Sequence, residues 1–111
     1  MIGLKELCAL IDGLGIPWAN QRFENDEEPA PPFIVLVAGF SSSAAADNIC
    51  WRSWMEYDVA LYTRFRDYAT EKAIADALTA ADVMFEKTIT QLDSENLIEA
   101  AFTVNVAEYE D

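Results

Sequence analysis

The chain has 111 residues, 52% of them hydrophobic, and its seven basic and twenty acidic residues give a formal net charge of −13. This length predicts one compact domain over residues 1–111, and the apolar fraction argues against a disordered chain. The charge disfavours the nucleic-acid backbone and anionic membranes as partners, because like charges repel. A basic protein surface, a cation, or solubility alone remain as explanations for so many carboxylates.

The cysteines and the N-terminal segment bear on the compartment. Cys8 and Cys50 lie in apolar segments without a Cys-x-x-Cys spacing, which predicts two small buried hydrophobes rather than a disulfide or a metal site. Lys5, Glu6 and Asp12 interrupt any signal-peptide core near the N-terminus. No apolar run approaches the ~20 residues of a membrane helix. We therefore expect synthesis and folding in a cytoplasm, without a membrane partner.

The first third of the chain predicts a helix, a short strand and a loop. A helical stripe over residues 2–14 ends at Gly13 or Gly15, and residues 17–20 are expected to form a short strand at a sheet edge. Residues 24–32 form an acidic, proline-rich loop. This loop can be interpreted as a solvated loop, as a contact arm for a neighbouring subunit, or as a cation site. It lacks the ligand spacing of an EF-hand calcium loop. Its acidic residues are Glu24, Asp26, Glu27 and Glu28.

The middle of the chain predicts two strands. Residues 33–38 are apolar on both faces, which indicates a central strand covered by helices on one side and by helices or a partner on the other. Residues 39–48 are expected to form a loop. Residues 49–63 alternate as one long strand, with a bend or bulge expected from its length. Its buried face is predicted to carry Trp51, Met55, Tyr57, Val59 and Leu61, and its mixed face Arg52, Trp54, Glu56, Asp58, Ala60 and Tyr62.

The last third predicts a helix and a hairpin. A turn over residues 64–68 precedes a helix that Asp67 caps and that ends near Ala81. Residues 83–89 and 97–107 alternate as two strands of an antiparallel hairpin, followed by an acidic tail over residues 108–111. The predicted fold is α+β: a mostly antiparallel sheet of four to five strands, with two helices packed on one face.

Catalysis is not supported by this composition. Because the chain has no histidine, serine–histidine and cysteine–histidine nucleophiles are excluded. No P-loop or dinucleotide motif is present. Glu56 and Asp58 point the same way from one strand, but a solvated edge explains them better than an acid–base pair, and contact with a basic partner is a further possibility. We expect no enzyme activity, no cofactor and no metal. Arg64 and Arg66 are candidates for pairing with carboxylates of another chain.

Nearly the whole chain resembles small siphophage neck proteins of the tail-terminator or tail-completion type, as encoded in phages and prophages of Gram-positive bacteria. The segments that carry the resemblance are LKELCALIDGLGIPWA, RFENDEEPAPPFIVL, ADNICWRSWMEYDVALYTRFRD and FEKTITQLDSENLIEAAFTV. The pattern consists of ordinary residues and contains no catalytic motif. At one point the chain departs from it: Arg64-Phe65-Arg66 stands where a typical member carries a pair of lysines.

The resemblance implies a structural virion protein of the neck. Such proteins form a ring, often of six subunits, that caps the tail tube and joins it to the head-side connector protein. The implied partners are further copies of the chain, the major tail tube protein and the connector, with DNA at most passing through an acidic lumen that repels it. Trp54 and Tyr62 are then candidate interface residues, unless they pack under the helices. The acidic loop and residues 39–48 are candidate docking arms.

Two other functions remain open from the sequence. A head-closure or adaptor protein would be another component of the same neck. A small acidic binding module, such as a DNA mimic, would present its carboxylates in a duplex-like stripe and block a DNA-binding protein. A monomer that never joins tail tubes but tightly inhibits a DNA-binding protein would favour the mimic.

Overall fold

The computed structural model describes residues 2–23, 29–43 and 53–107, and the side chains of residues 2–23, 29–38 and 55–106. The elements are α1 (Leu4–Asp12), β1 (Trp18–Asn20), β2 (Phe33–Ser43), β3 (Ser53–Thr63), α2 (Tyr68–Ala80), β4 (Phe85–Leu92) and β5 (Leu97–Ala107). Their order is the predicted one, and the α+β class is confirmed.

All five strands form one sheet in the order β1-β2-β3-β5-β4. β1 runs parallel to β2, and every other neighbouring pair is antiparallel. β1 is therefore the short edge strand that the sequence predicts. β4 and β5 form the predicted hairpin, and their turn spans residues 93–96 because β4 continues to Leu92.

Both helices cover the same face of the sheet. Leu7 and Ile11 of α1, and Ile74 and Leu78 of α2, are fully buried, because spacings of three and four residues place them on one side of each helix. They pack against alternate residues of the three central strands, which confirms the predicted buried face of β3 at Tyr57, Val59 and Leu61. The buried strand residues of this core are Ile34, Leu36, Tyr57, Val59, Leu61, Ala100, Phe102, Val104 and Val106.

The start of α2 is fixed by a side-chain cap. Asp67 accepts a hydrogen bond from the backbone N–H of Thr70 at 3.1 Å and another from the Thr70 hydroxyl at 2.7 Å. These bonds satisfy a donor that the helix itself leaves unpaired, and they lower the pKa of Asp67 below its usual value. The predicted role of Asp67 is confirmed.

The prediction that residues 39–48 form a loop is wrong for residues 39–43. β2 continues to Ser43, which pairs with Ser53, because backbone bonds to β3 need no apolar side chain. The irregularity expected in β3 lies in β2 instead: between Ala38 and Ser41 the register shifts, so that two residues of β2 lie opposite one of β3. The predicted loop residues 44–48, the predicted strand residues 49–52 and the acidic tail lie outside the described residues.

Two further predictions concern burial and membranes. Cys8 is partly buried and packs against the core. Cys50 lies outside the described residues. Among the described residues, no helix is both long enough and apolar enough to span a membrane.

Candidate interaction surface

The face of the sheet opposite the two helices, here called the open face, has no described helix over it. Strand alternation assigns its residues, and cross-strand contacts between side chains agree with that assignment. Across the strands they form rows, beginning with Phe33, Tyr62, Glu99 and Thr90 and continuing with Val35, Ala60, Ala101 and Thr88. The next row is Val37, Asp58, Thr103 and Glu86, followed by Glu56 beside Asn105. The open face is thus apolar along β2 and polar along β4.

Aromatic rings cover one end of the apolar half. The ring of Phe33 stacks on Tyr62, with centroids 5.2 Å apart, and Phe23 meets Phe33 edge-on at 5.5 Å. Phe33 is therefore buried although it lies on the open face. A groove of about 590 Å³ lies here, and its lining includes Phe23, Val35, Tyr62, Arg64 and Leu97.

Tyr62, a predicted interface residue, lies on the open face and not under the helices. It is partly buried, and its hydroxyl donates a 2.6 Å hydrogen bond to Glu99 Oε2. Burial raises the pKa of the Tyr62 phenol well above its usual value, and the bond to Glu99 and neighbouring carboxylates add to this. Tyr62 is therefore a neutral hydrogen-bond donor whose ring stacks on Phe33.

The carboxylates of the open face lie on β3, β5 and β4. Asp58 accepts a 2.6 Å hydrogen bond from the Thr103 hydroxyl, and both Asp58 and Glu56 are partly buried. Glu86, on the other side of Thr103 in the same row, is exposed. Glu56 and Asp58 share this face as predicted. No three His, Cys, Asp or Glu side chains gather as metal ligands in the described part of the chain.

A buried carboxylate lies at the start of α2. Glu71 is only 2% exposed, and Arg66 donates two hydrogen bonds to it, at 3.0 and 3.1 Å. Lys87 of β4 forms a second ion pair with the same carboxylate. Burial alone would raise the pKa of Glu71, but the hydrogen bonds from Arg66 and Lys87 outweigh it, and the pKa is lowered. The cluster ties the turn before α2 to the hairpin.

The turn between β3 and α2, residues 64–67, together with Tyr68, the first residue of α2, is called the anchor turn because the Glu71 cluster holds it. Arg66 lies over the ring of Tyr68, 4.5 Å from its centroid, while it holds Glu71. Phe65 is 82% exposed and Tyr68 67% exposed. Arg64 is exposed, and within the described part of the chain it makes no side-chain hydrogen bond or ion pair.

The remaining predicted interface residues have different outcomes. Arg66 pairs with a carboxylate of its own chain, so only Arg64 of the two arginines is available to another chain. The backbone of Trp54 lies in β3 opposite Ala107. The acidic residues Glu24, Asp26, Glu27 and Glu28 lie outside the described residues.

Sequence reasoning missed Glu71 and Lys87, although each carries a signal. Glu71 falls on the buried stripe of α2 with Ile74 and Leu78, at offsets of three and seven. Lys87 lies between Phe85 and Ile89 on the core side of β4. A charged residue at a core position needs an opposite charge, and these two satisfy each other.

Comparison of the chain with protein-family models and with curated protein sequences finds no match. The functional argument therefore depends on the residues and their geometry.

Proposed function

We propose that the protein is a structural component of a siphophage neck, a tail-terminator or tail-completion subunit. It forms a ring, expected to contain six copies, at the end of the tail tube and joins the tube to the head-side connector. It is a virion protein made in the host cytoplasm, without catalytic activity. The observation that carries the proposal is the open face, because both helices cover the other side of the sheet, whereas on this side no described helix lies and Val35, Val37 and Tyr62 are partly exposed.

The partly exposed apolar residues of the open face lie in the adjacent strands β2 and β3. Val35, Val37 and Tyr62 are partly exposed there, and the groove beside them is lined by further apolar residues. A contiguous apolar area on a monomer is typical of a protein-binding surface. Together with the resemblance, this apolar area favours a subunit whose open face binds another protein.

A ring further requires two different surfaces on each subunit. Contacts between unlike surfaces generate a closed ring when the rotation between subunits closes. The chain offers the open face and, at the end of β3, the separate anchor turn. Neither the open face nor the anchor turn has to be exposed for the helices to pack on the sheet.

The net charge of −13 also suits a DNA mimic. A mimic requires carboxylates along a stripe, whereas the β2 side of the open face is apolar and ends beside Arg64. The head-closure and adaptor alternatives share the same kind of surfaces, so they remain outcomes of the partner test.

Light scattering of the purified protein, alone and with the tail tube protein of the same phage, tests the proposal. We expect a multimer that binds tubes, and we expect Val35→Thr with Val37→Thr to weaken tube binding or multimer formation roughly tenfold, because two apolar contacts are lost. The substitutions retain β-branched side chains, so the strand should remain folded.

Met84→Thr is the matched control, since Met84 is 91% exposed and lies in the α2–β4 connection. We expect it to behave as the wild type. A protein that stays monomeric with and without tubes, and that binds a basic DNA-binding protein instead, would contradict the neck proposal.

A further inference from the structure

We propose that the open face binds a partner protein whose contact surface has lysine or arginine side chains directly beside apolar ones. The basic residues lie over the carboxylates of β3, β5 and β4, and the apolar ones over Val35 and Val37. The inference rests on the proposed function and names the chemistry of the tube or connector protein that meets this face. It assigns the face to that partner and not to a second copy of the chain.

The first step is the sign of the charges on the open face. Within the described strands this face carries four carboxylates and no basic side chain, namely Glu56, Asp58, Glu86 and Glu99. Lys87, the basic residue of β4, lies on the core side and forms its ion pair there. The charges of both signs that line the groove beside Phe33, on Arg22, Arg64 and Glu95, lie outside the strands.

The second step is that these carboxylates have no cationic partner in the described part of the chain. Asp58 and Glu99 each accept a 2.6 Å hydrogen bond, one from a threonine and one from a tyrosine hydroxyl. Glu56 lies two residues before Asp58 on the same side of β3, about 7 Å away along the strand, which is within the range of charge interactions at physiological salt. Like charges this close repel each other, so a basic side chain brought to the face is attracted by several carboxylates at once.

The third step is the spacing of the carboxylates, which fits the separate cations of a protein rather than one metal ion. Asp58 and Glu86 lie in one row on strands that β5 separates, so their backbones are about 10 Å apart. A metal ion needs its oxygen ligands within about 2–2.6 Å, and no three such side chains gather among the described residues. Lysine and arginine residues, with their long side chains, can each reach a different carboxylate.

The fourth step is the apolar part of the face. Val37 lies opposite Asp58, and Val35 opposite Ala60, so only about 5 Å separates the valines of β2 from the acidic part. Both valines are partly exposed. A purely basic surface would leave them in water, and a purely apolar one would bury the carboxylates unpaired. A partner that covers both parts therefore has apolar and basic residues side by side.

The charge of the whole chain also favours a basic partner. Two copies that each carry a net charge of −13 repel each other, and DNA is repelled for the same reason. A protein with a basic contact surface is attracted instead, and its approach to the open face is steered by the same field.

Fluorescence anisotropy with two labelled peptides tests the contact. In the first peptide, lysines border a stripe of leucines at helical spacing, and in the second each leucine is replaced by serine. We expect the wild-type protein to bind the leucine–lysine peptide at least roughly tenfold more tightly, because only this peptide covers Val35 and Val37. Equal affinity for the two peptides would overturn the inference, since charge alone would then explain the binding.

Substitutions on the protein locate the binding. Glu56→Gln with Glu86→Gln should weaken binding of the leucine–lysine peptide roughly fivefold at physiological salt, because two charge pairs are lost. The matched control is Glu6→Gln with Asp82→Asn, which removes the same charge from exposed positions of α1 and of the α2–β4 connection and should bind as the wild type does. Circular dichroism checks that both variants are folded. An equal loss of binding in the two variants would contradict a site on the open face.

The mass of the multimer separates a partner protein from a second copy as the occupant. We expect Glu56→Gln with Glu86→Gln to leave the mass unchanged in analytical ultracentrifugation. A multimer that dissociates in this variant, although the variant is folded, would place a second copy on the face and overturn the inference.

The failure of this contact is distinguishable from failure of the neck role. If Glu56→Gln with Glu86→Gln binds tail tubes and the connector protein as tightly as the wild type does, the inference is wrong and the role stands. If the leucine–lysine peptide binds as expected but neither the tube nor the connector protein does, the role is wrong and the contact chemistry stands.

Discussion

At the scale of single residues, Glu71 is the side chain on which the local structure depends most. A buried carboxylate is unfavourable unless it is paired, and here one arginine and one lysine hold it from different elements. Arg66 and Lys87 are each 35% exposed, so water partly compensates them if the carboxylate is removed. The cost of losing Glu71 should therefore be below that of a fully buried pair.

Glu71→Gln should lower the free energy of unfolding by about 1–3 kcal/mol at pH 7, because the two hydrogen bonds from Arg66 and the ion pair with Lys87 lose their anionic partner. Urea unfolding measures the change. Asp76→Asn is the matched control, since the Lys72–Asp76 pair is exposed and should contribute below about 0.5 kcal/mol. Equal effects of the two substitutions would contradict the structural importance of Glu71.

Glu71 should also make the free energy of unfolding depend on pH. Because the pKa of Glu71 is lowered in the folded protein, the unfolded chain binds its proton more tightly, and the stabilisation is complete above the unfolded value near 4.5. It should be lost as the pH falls through the folded pKa. The difference in unfolding free energy between wild type and Glu71→Gln should thus be constant near neutrality and shrink below about pH 4.5. A difference that stays constant down to pH 3 would show that Glu71 is not stabilised as a carboxylate.

At the scale of elements, α2 is the unit that connects the sheet to the anchor turn. Its first turn supplies Glu71, its cap is Asp67, and its far end packs Leu78 into the core. Disturbing the cap should therefore loosen the turn before it affects the sheet.

Asp67→Ala should reduce stability by about 1 kcal/mol, because the backbone N–H of Thr70 loses its acceptor. Asp67→Asn should retain most of this stability, since the side-chain amide oxygen of asparagine can also accept a hydrogen bond from the first turn of α2. Hydrogen exchange should show faster exchange at the start of α2 in the alanine variant, with β3 and β5 unchanged. Uniformly faster exchange across the sheet would mean that the cap acts on the whole domain and not on the turn.

Much of this arrangement could be predicted from periodicity, because amphipathic strands and helices repeat at fixed intervals. Leu7 and Ile11, or Val59 and Leu61, identify their own buried faces. The extension of β2 through residues 39–43 could not be predicted, since small polar residues carry no periodic signal and their pairing depends on β3. The Glu71–Lys87 pair was missed because it joins a helix to a strand sixteen positions away, and such a contact is set by tertiary packing rather than by local pattern.

The candidate interface residues also divide into those that periodicity predicts and those that only tertiary packing reveals. Tyr62 was assigned to the correct strand face by alternation. Arg64 and Arg66 look equivalent in the sequence, yet only the structure reveals that Arg66 is engaged by its own chain. Which arginine is available to a partner is therefore a three-dimensional property.

At the scale of the whole molecule, the described residues form a sheet with helices on one face, an open face, and an aromatic turn that is hydrogen-bonded to α2, on a strongly acidic chain. We propose that the open face and the anchor turn are two distinct surfaces for binding other proteins. The central claim is accordingly that it acts as an assembled ring at the end of a tail tube.

Electron cryomicroscopy of tail tubes, grown from the major tail protein with and without this protein, tests that claim most directly. We expect tubes that stop growing and carry a ring of extra density at one end only, with six copies of the chain. Tubes of unchanged length with bare ends, and the protein left in solution as a monomer, would contradict it.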